Sequence, residues 1–491
     1  MPESDAIVKV IANKPGSINS NQLFREKLTS PRSELILSQY SKPWDIIKRI
    51  IALVIITYLL SQSILMIGFG LFIRDLDGTI MSFIGLFCSL PLLFLFFWIR
   101  RPRLIHIQLA IPDENGQKTH ILSNNETLTT PIPTKFSHHL VNNSGLLDVP
   151  PSKNLWLIFS TVLMTSLIIF ISLINETSDL IIIITLIFVI PAWLAGFSIP
   201  VFAWWSYSAR KLNLPTTGIK AESTLVAGMI CTIPALFFNT GGNYYFSDIF
   251  GPESPITQML TLAVVAPIGE ELCKLGAIWW CKEFIDSPRR GFEIGFTVGL
   301  GFAMLENLQY IALSWTGGPL SFTLTSLIRA IGSIPGHAFW TGLTGIGFAY
   351  LISKNNKNQK IFQDKKNNEI NNWQLIDSKT NKIIETTIQE ENETRIIGED
   401  GNIIFQKFEE DKNKTSKLPK NILICLLFAI IGHSFWNGSS YAVDYYSTKV
   451  TSNVIFSTSI SLIWITILIT SLLILGKLIL KNVILLPDKM V

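Results

Sequence analysis

An all-α polytopic membrane fold, with about ten transmembrane helices and small cytoplasmic β-hairpin inserts, is what the sequence predicts. Three observations carry that expectation. Of 491 residues 48% are hydrophobic, gathered in runs near the ~20 residues that cross a hydrocarbon core. Charged residues are only 15% of the chain, against about 25% in an ordinary soluble domain, and they concentrate between the runs. Every second connection is basic, as the positive-inside rule expects of a multi-pass cell-membrane protein with both termini in the cytoplasm.

In chain order, residues 1–49 are a polar lead with eight Lys/Arg and no signal-peptide pattern. Spans are expected at 50–73, 79–99, 154–174, 180–205, 222–240, 257–281, 291–313, 323–353, 421–443 and 453–478. The eighth is long and contains Pro335-Gly336, so a break or a preceding interfacial helix is expected there. Arg100, Arg101, Arg103, Lys118, Lys135 and Lys153 mark the connection 100–153 as cytoplasmic. Later basic connections hold Arg210, Lys211 and Lys220, then Lys282, Arg289 and Arg290, then the Lys-rich 354–420. The stretches 175–179, 241–255 and 315–321 carry no Lys or Arg, and Arg74 and Lys449 are lone exceptions to the alternation. The expected organisation is a lead (1–49), an N-terminal transmembrane region (50–221) with its insert, a bundle in two parts (222–353 and 421–491), and a polar insert (354–420) between those parts.

Both inserts carry hairpin signals. Leu104–Ile111 and Gln117–Leu122 flank Asn115-Gly116, and Ile396-Ile397 and Ile403–Phe405 flank Asp400-Gly401. The five cysteines form no Cys-x-x-Cys pair, which excludes a zinc ribbon or a disulfide framework. No Gly-rich phosphate loop is present, and no basic, aromatic-laced stretch, so nucleic acid is not an expected partner.

The functional signal is a set of ionisable residues inside the later spans: Glu270, Glu271 and Lys274, then Glu306, His337 and His433. Charges inside a span are costly and mark function. At about 1.5 Å per residue, Glu270 lies roughly 18 Å from the cytoplasmic Lys282, Glu306 roughly 24 Å from Arg290, His337 roughly 25 Å from Lys354 and His433 roughly 20 Å from Lys420. Four helices of alternating direction thus place polar groups at a similar level, in the middle to outer half of the core. Glu270 and Lys274 share a helix face, as do His433 and Asn437. Gly291, Gly295 and Gly299 form a stripe for close packing, and Glu306 returns to nearly that face. Lys274 reads best as a charge partner of the glutamates, and Arg329 as an interfacial anchor.

Carboxylates and histidines together activate water by two routes. In one, a buried glutamate is the general base, with histidine or asparagine stabilising an oxyanion. In the other, His and Glu ligands hold a zinc-type ion. The cofactor expectation is therefore zinc for the metal route and none for the glutamate route. No His-Glu-x-x-His helix, Gly-x-Ser-x-Gly turn or Gly-x-Gly-Asp motif is present. Buried acids also build ion paths, so a proton- or ion-coupled transporter is the rival reading.

Four motifs carry a resemblance: Glu270-Glu271-Leu272-Cys273-Lys274, Phe302-Ala303-Met304-Leu305-Glu306-Asn307, Gly336-His337-Ala338-Phe339-Trp340-Thr341-Gly342, and His433-Ser434-Phe435-Trp436-Asn437. In this order and on successive spans they resemble the PrsW family of intramembrane proteases, which is related to the type II CAAX prenyl endopeptidases of the ABI group. The resemblance covers roughly 222–442. It implies endoproteolysis of a membrane-anchored protein in the bilayer, in that family an anti-sigma factor cut on its extracytoplasmic side as a regulatory, site-1 type step. It leaves the metal question open, because the family is described as metal-dependent and its relatives resemble metal-free glutamate enzymes. The expected roles are Glu270 as water-activating base, Glu271 and Lys274 holding it in place, and Glu306, His337 and His433 completing the water or metal site. Asn437 would help an oxyanion. The tentative metal set is His337, His433 and Glu306. An inactive binding relative is a third reading, which the intact motif set disfavours.

Overall fold

The computed structural model describes residues 42–73, 75–101, 104–122, 126–142, 145–173, 179–363, 375–376, 383–384, 395–397, 403–405 and 416–487. The principal elements are α1 (Pro43–Ile73), α2 (Leu76–Arg100), β1 (Leu104–Ile121), β2 (Thr127–Asn142), α3 (Ser152–Leu173), α4 (Asp179–Leu212), α5 (Gly218–Ile230) and α6 (Thr232–Phe250). They continue with α7 (Pro255–Leu260), α8 (Ala266–Trp280), α9 (Pro288–Ser314), α10 (Gly318–Ile328), α11 (Ile334–Gln363), α12 (Ile422–Val450) and α13 (Val454–Val483).

Among the described residues nine stretches are long and apolar enough to cross a membrane, which makes this an all-α multi-pass membrane protein. One of them, Pro288–Ser353, is 66 residues long, more than twice what a crossing requires. It is divided by a 3₁₀ turn at Trp315–Gly317, with Gly318 at φ 85°, a conformation that favours glycine. Counting its two limbs separately gives the ten expected spans.

The chain divides into two compact units. The first comprises Met1–Tyr244 and Leu300–Ile334. Within it α1 and α2 form a tight helical hairpin. Asp75 caps α2 by accepting from the Gly78 N–H at 2.7 Å, and Gly70 and Gly78 each face the other's carbonyl, with no room for a Cβ. Glu222 on α5 is buried and pairs with Arg49 at 3.1 Å and Arg100 at 3.9 Å, tying α5 to α1 and α2. The ribbon β1–β2 is antiparallel, from Leu104 opposite Asn142 to Ile121 opposite Thr127.

This ribbon corrects the expected hairpin. Asn115-Gly116 is not its turn. The chain reverses beyond Leu122, whose N–H donates to the Glu126 carbonyl at 2.8 Å. Pro112 and Gln117 both oppose Thr134, so residues 113–116 form a bulge within β1. Gly116 fits there because its α-carbon abuts the Thr134 backbone, which leaves no room for a side chain. In the second insert β5 (Arg395–Ile397) pairs with β6 (Ile403–Phe405) as expected, while the Asp400-Gly401 turn lies outside the described residues. A further small pair, β3 (Leu375–Ile376) and β4 (Ile383–Ile384), has no counterpart in the sequence reading.

The second unit comprises Tyr245–Gly299 and Pro335–Val491. In it the start of α9 packs directly on α11. A Cβ at Gly291, Gly295 or Gly299 would strike the carbonyl of Gly345, Thr341 or His337 respectively. The four-residue stripe thus brings α9 onto the α11 backbone and fixes His337 from behind. Gly347 and Gly432 admit α12 on another side of α11: Gly347 lies against Ile422 and Cys425, and Gly432 against the Trp340 indole. Arg289 donates to the carbonyls of Ile484 (2.7 Å) and Leu486 (2.8 Å), capping the end of α13.

Two π turns interrupt the helices, each ending just before a proline. Thr261–Val265 precedes Pro267, and Arg329–Ser333 precedes Pro335. A helical proline lacks an N–H and clashes with the carbonyl four residues back. Widening the turn avoids that clash. The Ala266 N–H donates to Thr261 O and the Ile334 N–H to Arg329 O, both at a five-residue spacing. The expected break at Pro335-Gly336 is therefore absent, and helix continues to Gln363, ten residues past the anticipated end. The Ala330 carbonyl, whose π partner would be the missing Pro335 N–H, accepts instead from the Trp204 indole at 3.0 Å.

Candidate active site

Both π turns deliver polar residues to the interior. Glu270 and Glu271 follow Pro267 by three and four residues, and His337 follows Pro335 by two. Together with Lys274 on α8 and His433 on α12 they form one buried cluster in the second unit. Exposure is 5% for Glu270, 1% for Glu271, 0% for Lys274, 3% for His337 and 2% for His433.

Glu271 is the hub. Its Oε1 accepts from Lys274 Nζ at 2.8 Å and from His433 Nδ1 at 3.1 Å, and its Oε2 accepts from the Thr341 hydroxyl at 3.4 Å. Lys274 Nζ also reaches His337 Nδ1 at 2.8 Å and Glu270 Oε2 at 3.7 Å. His433 Nε2 lies 3.7 Å from Glu270 Oε2. The two imidazoles meet at 89° with centroids 4.9 Å apart, and Trp340 stacks on His433 at 19° and 5.2 Å. The aromatic face and the carboxylate together fix the His433 ring.

This geometry separates the two glutamates. Both oxygens of Glu271 are engaged by protein donors, so it positions its neighbours. Its carboxylate contacts His433 Nδ1, and in a neutral ring that donates from Nδ1 the lone pair sits on Nε2, which faces Glu270. Glu270 pairs with Lys274 at 3.7 Å and faces His433 Nε2 at the same distance. Two carboxylates, one ammonium and two imidazoles are thus gathered in a space where isolated charge is costly.

The donor set fits a divalent ion in number and type. Glu270, His337 and His433 each offer a ligand atom, and these atoms lie within 4.8 Å of one another. A carboxylate and two imidazoles, with a fourth position open, is a ligand set used by catalytic zinc. Glu271 behind His433 supplies the carboxylate support that such ligands usually have.

Glu306, in the first unit, pairs with Arg329 at 3.1 Å. Arg329 also donates to Asn307 Oδ1 at 2.5 Å and Ser333 Oγ at 3.2 Å, and its guanidinium lies 3.8 Å from the Tyr310 ring centroid. Asn437 stands one turn beyond His433 on α12 and is half-buried. Trp340 and Thr341 stand in the third motif, but the sequence assigns neither a role. Thr341 lies four residues after His337, the helical spacing that could have flagged it.

Residues 221–363 match the family model described as PrsW family intramembrane metalloprotease. The matched stretch contains Glu270, Glu271, Lys274, Glu306 and His337, while His433 and Asn437 lie beyond it. Neither a curated protein nor a solved structure matches the chain.

Proposed function

We propose that this chain, whose residues 221–363 match the model of the PrsW family of intramembrane metalloproteases, is an intramembrane protease with a specific division of labour at the buried cluster. Glu270, His337 and His433 would hold a divalent metal, with zinc the best match to two imidazoles and a carboxylate. When bound, such an ion supplies Lewis acidity and an activated water. The chain's own residues do the rest. Glu271 orients His433 and keeps its Nε2 lone pair available. Lys274 balances the paired glutamates, and a metal would take the His337 lone pair that its ammonium contacts. Thr341 fixes the second oxygen of Glu271. In a metal-free site Glu270 would be the carboxylate that takes a proton from water. Asn437 is assigned to oxyanion support. Glu306 is assigned to the Arg329 network rather than to the metal set.

The observation that carries this reading is the convergence of ligand atoms of Glu270, His337 and His433 to within 4.8 Å of one another, with Glu271 supporting His433 from behind. The substrate class is a membrane-anchored protein, cut in a regulatory, site-1 type step on the extracytoplasmic side, with both termini of this chain in the cytoplasm. The family resemblance and the alternation of basic connections support these finer points.

The test is cleavage of a membrane-anchored reporter in detergent micelles by purified protein. Wild type should cut with no gradient present, and Glu270→Gln should be inactive. Turnover only in sealed vesicles bearing an ion gradient would instead favour a carrier. A reporter labelled on both sides and cut only on the cytoplasmic one would refute the assigned side.

A further inference from the structure

Four of the six histidines lie outside the membrane cluster, all on the β1–β2 ribbon: His106, His120, His138 and His139. The ribbon has two unlike faces. On one, Ile107 and Val141 form a small apolar core with Ile105 and Leu109, and His139 is buried opposite Ile107. On the other, alternate residues bring together His106 and Gln108 of β1 with His138 of β2. Gln108 is directly opposite His138, and His106 is diagonal to it.

His106 Nε2 and His138 Nδ1 face each other across the strands at 3.0 Å, and Gln108 Nε2 lies 3.4 Å from the same Nδ1. The rings are nearly parallel, at 12°, with centroids 5.0 Å apart. All three side chains are half-buried, so the backbone ladder and their neighbours restrain them while solvent still has access.

Two imidazole nitrogens on one tetrahedral ion, each about 2.0–2.1 Å from it, stand about 3.3 Å apart. The pair is already within a few tenths of an ångström of that separation, so little ordering is needed to bind. We propose that His106 and His138 form a chelating site for a divalent transition-metal ion (Cu²⁺, Ni²⁺ or Zn²⁺), with Gln108 turning its amide oxygen inward as a third donor. Imidazole selects these ions over Mg²⁺ and Ca²⁺, which prefer all-oxygen shells. Binding is coordination without redox change. The proton shared between the facing nitrogens moves to the far nitrogen of its own ring, and both rings stay neutral. The site is independent of the hydrolase reading and shares no residue with it.

The experiment is Cu²⁺ binding to the full-length chain in detergent, followed by titration and by electron paramagnetic resonance. The expected result is a nitrogen-coordinated Cu²⁺ signal that disappears in His106→Ala and in His138→Ala. Affinity at that site should fall at least about tenfold in either variant, because the second ligand acts at high effective concentration. The signal should survive His139→Ala, on the opposite face, and His337→Ala with His433→Ala, which removes the membrane cluster. A wild-type signal unchanged in both ribbon variants would overturn the proposal. So would loss only in the His337→Ala/His433→Ala protein, since the copper would then sit in the membrane.

Discussion

Glu271→Gln removes one charge and almost no volume from the centre of the buried cluster. In the wild type that carboxylate accepts from Lys274 at 2.8 Å, His433 at 3.1 Å and Thr341 at 3.4 Å. The amide can satisfy part of this set, but it no longer neutralises Lys274. That ammonium would be left with Glu270, 3.7 Å away. Stranding a buried charge completely costs about 3–5 kcal/mol, and Glu270 reduces that, so the expected loss of stability is about 1–3 kcal/mol. The functional effect is indirect, through the His433 tautomer and the Lys274 position. Removing such outer support typically costs about 10–100-fold in metal affinity or activity. Glu270→Gln removes the reacting carboxylate itself and should cost more, about 10²–10⁴-fold. The assay is reporter cleavage in detergent for both variants, beside thermal melts and metal content. The reasoning fails if Glu271→Gln cleaves and binds metal like wild type, or if it is the more damaging of the two while folding normally.

The remaining predictions follow from particular contacts. Pro335→Ala restores an N–H that can reach the Ile331 carbonyl four residues back and lets Arg329–Ser333 close as ordinary helix; one residue of register turns the helix beyond by about 100° and carries His337 with it. Activity should collapse while the melting temperature holds or rises, and an unchanged cleavage rate would count against the π turn as a positioning device. Gly299→Ala places a methyl against the His337 carbonyl and should cost about 1–3 kcal/mol of stability, read by thermal melting, together with activity. Trp204→Phe leaves the Ala330 carbonyl without its indole donor and should cost about 1–3 kcal/mol, read in the same way. Chelator treatment should abolish cleavage, and added Zn²⁺ should restore it in wild type but not in His433→Ala.

What the sequence reveals divides along physical lines. Apolar runs, alternating basic connections and the Gly291–Gly295–Gly299 stripe are local patterns, so the helical membrane fold and the α9–α11 approach are legible in one dimension. Asn115-Gly116 misleads because the same dipeptide suits a turn and a bulge, and only the pairing of Pro112 and Gln117 with Thr134 decides between them. The π turns escape because periodicity does not register one extra residue, although a proline late in an uncapped apolar run is their local sign. The contacts of Arg329 with Glu306 and Asn307 join residues too far apart in the chain to be read from it. The partners of Glu271 are hidden in the same way: His433 and Thr341 reach it from other helices, beside Lys274 on its own.

The central claim is a metal centre at Glu270, His337 and His433. The direct measurement is elemental analysis of the detergent-purified chain, wild type beside His337→Ala and His433→Ala. The account predicts that each variant, while still folded, loses about one zinc ion per chain relative to wild type. Equal metal content in all three folded proteins, or none in an active wild type, would contradict it and leave Glu270 to activate water alone.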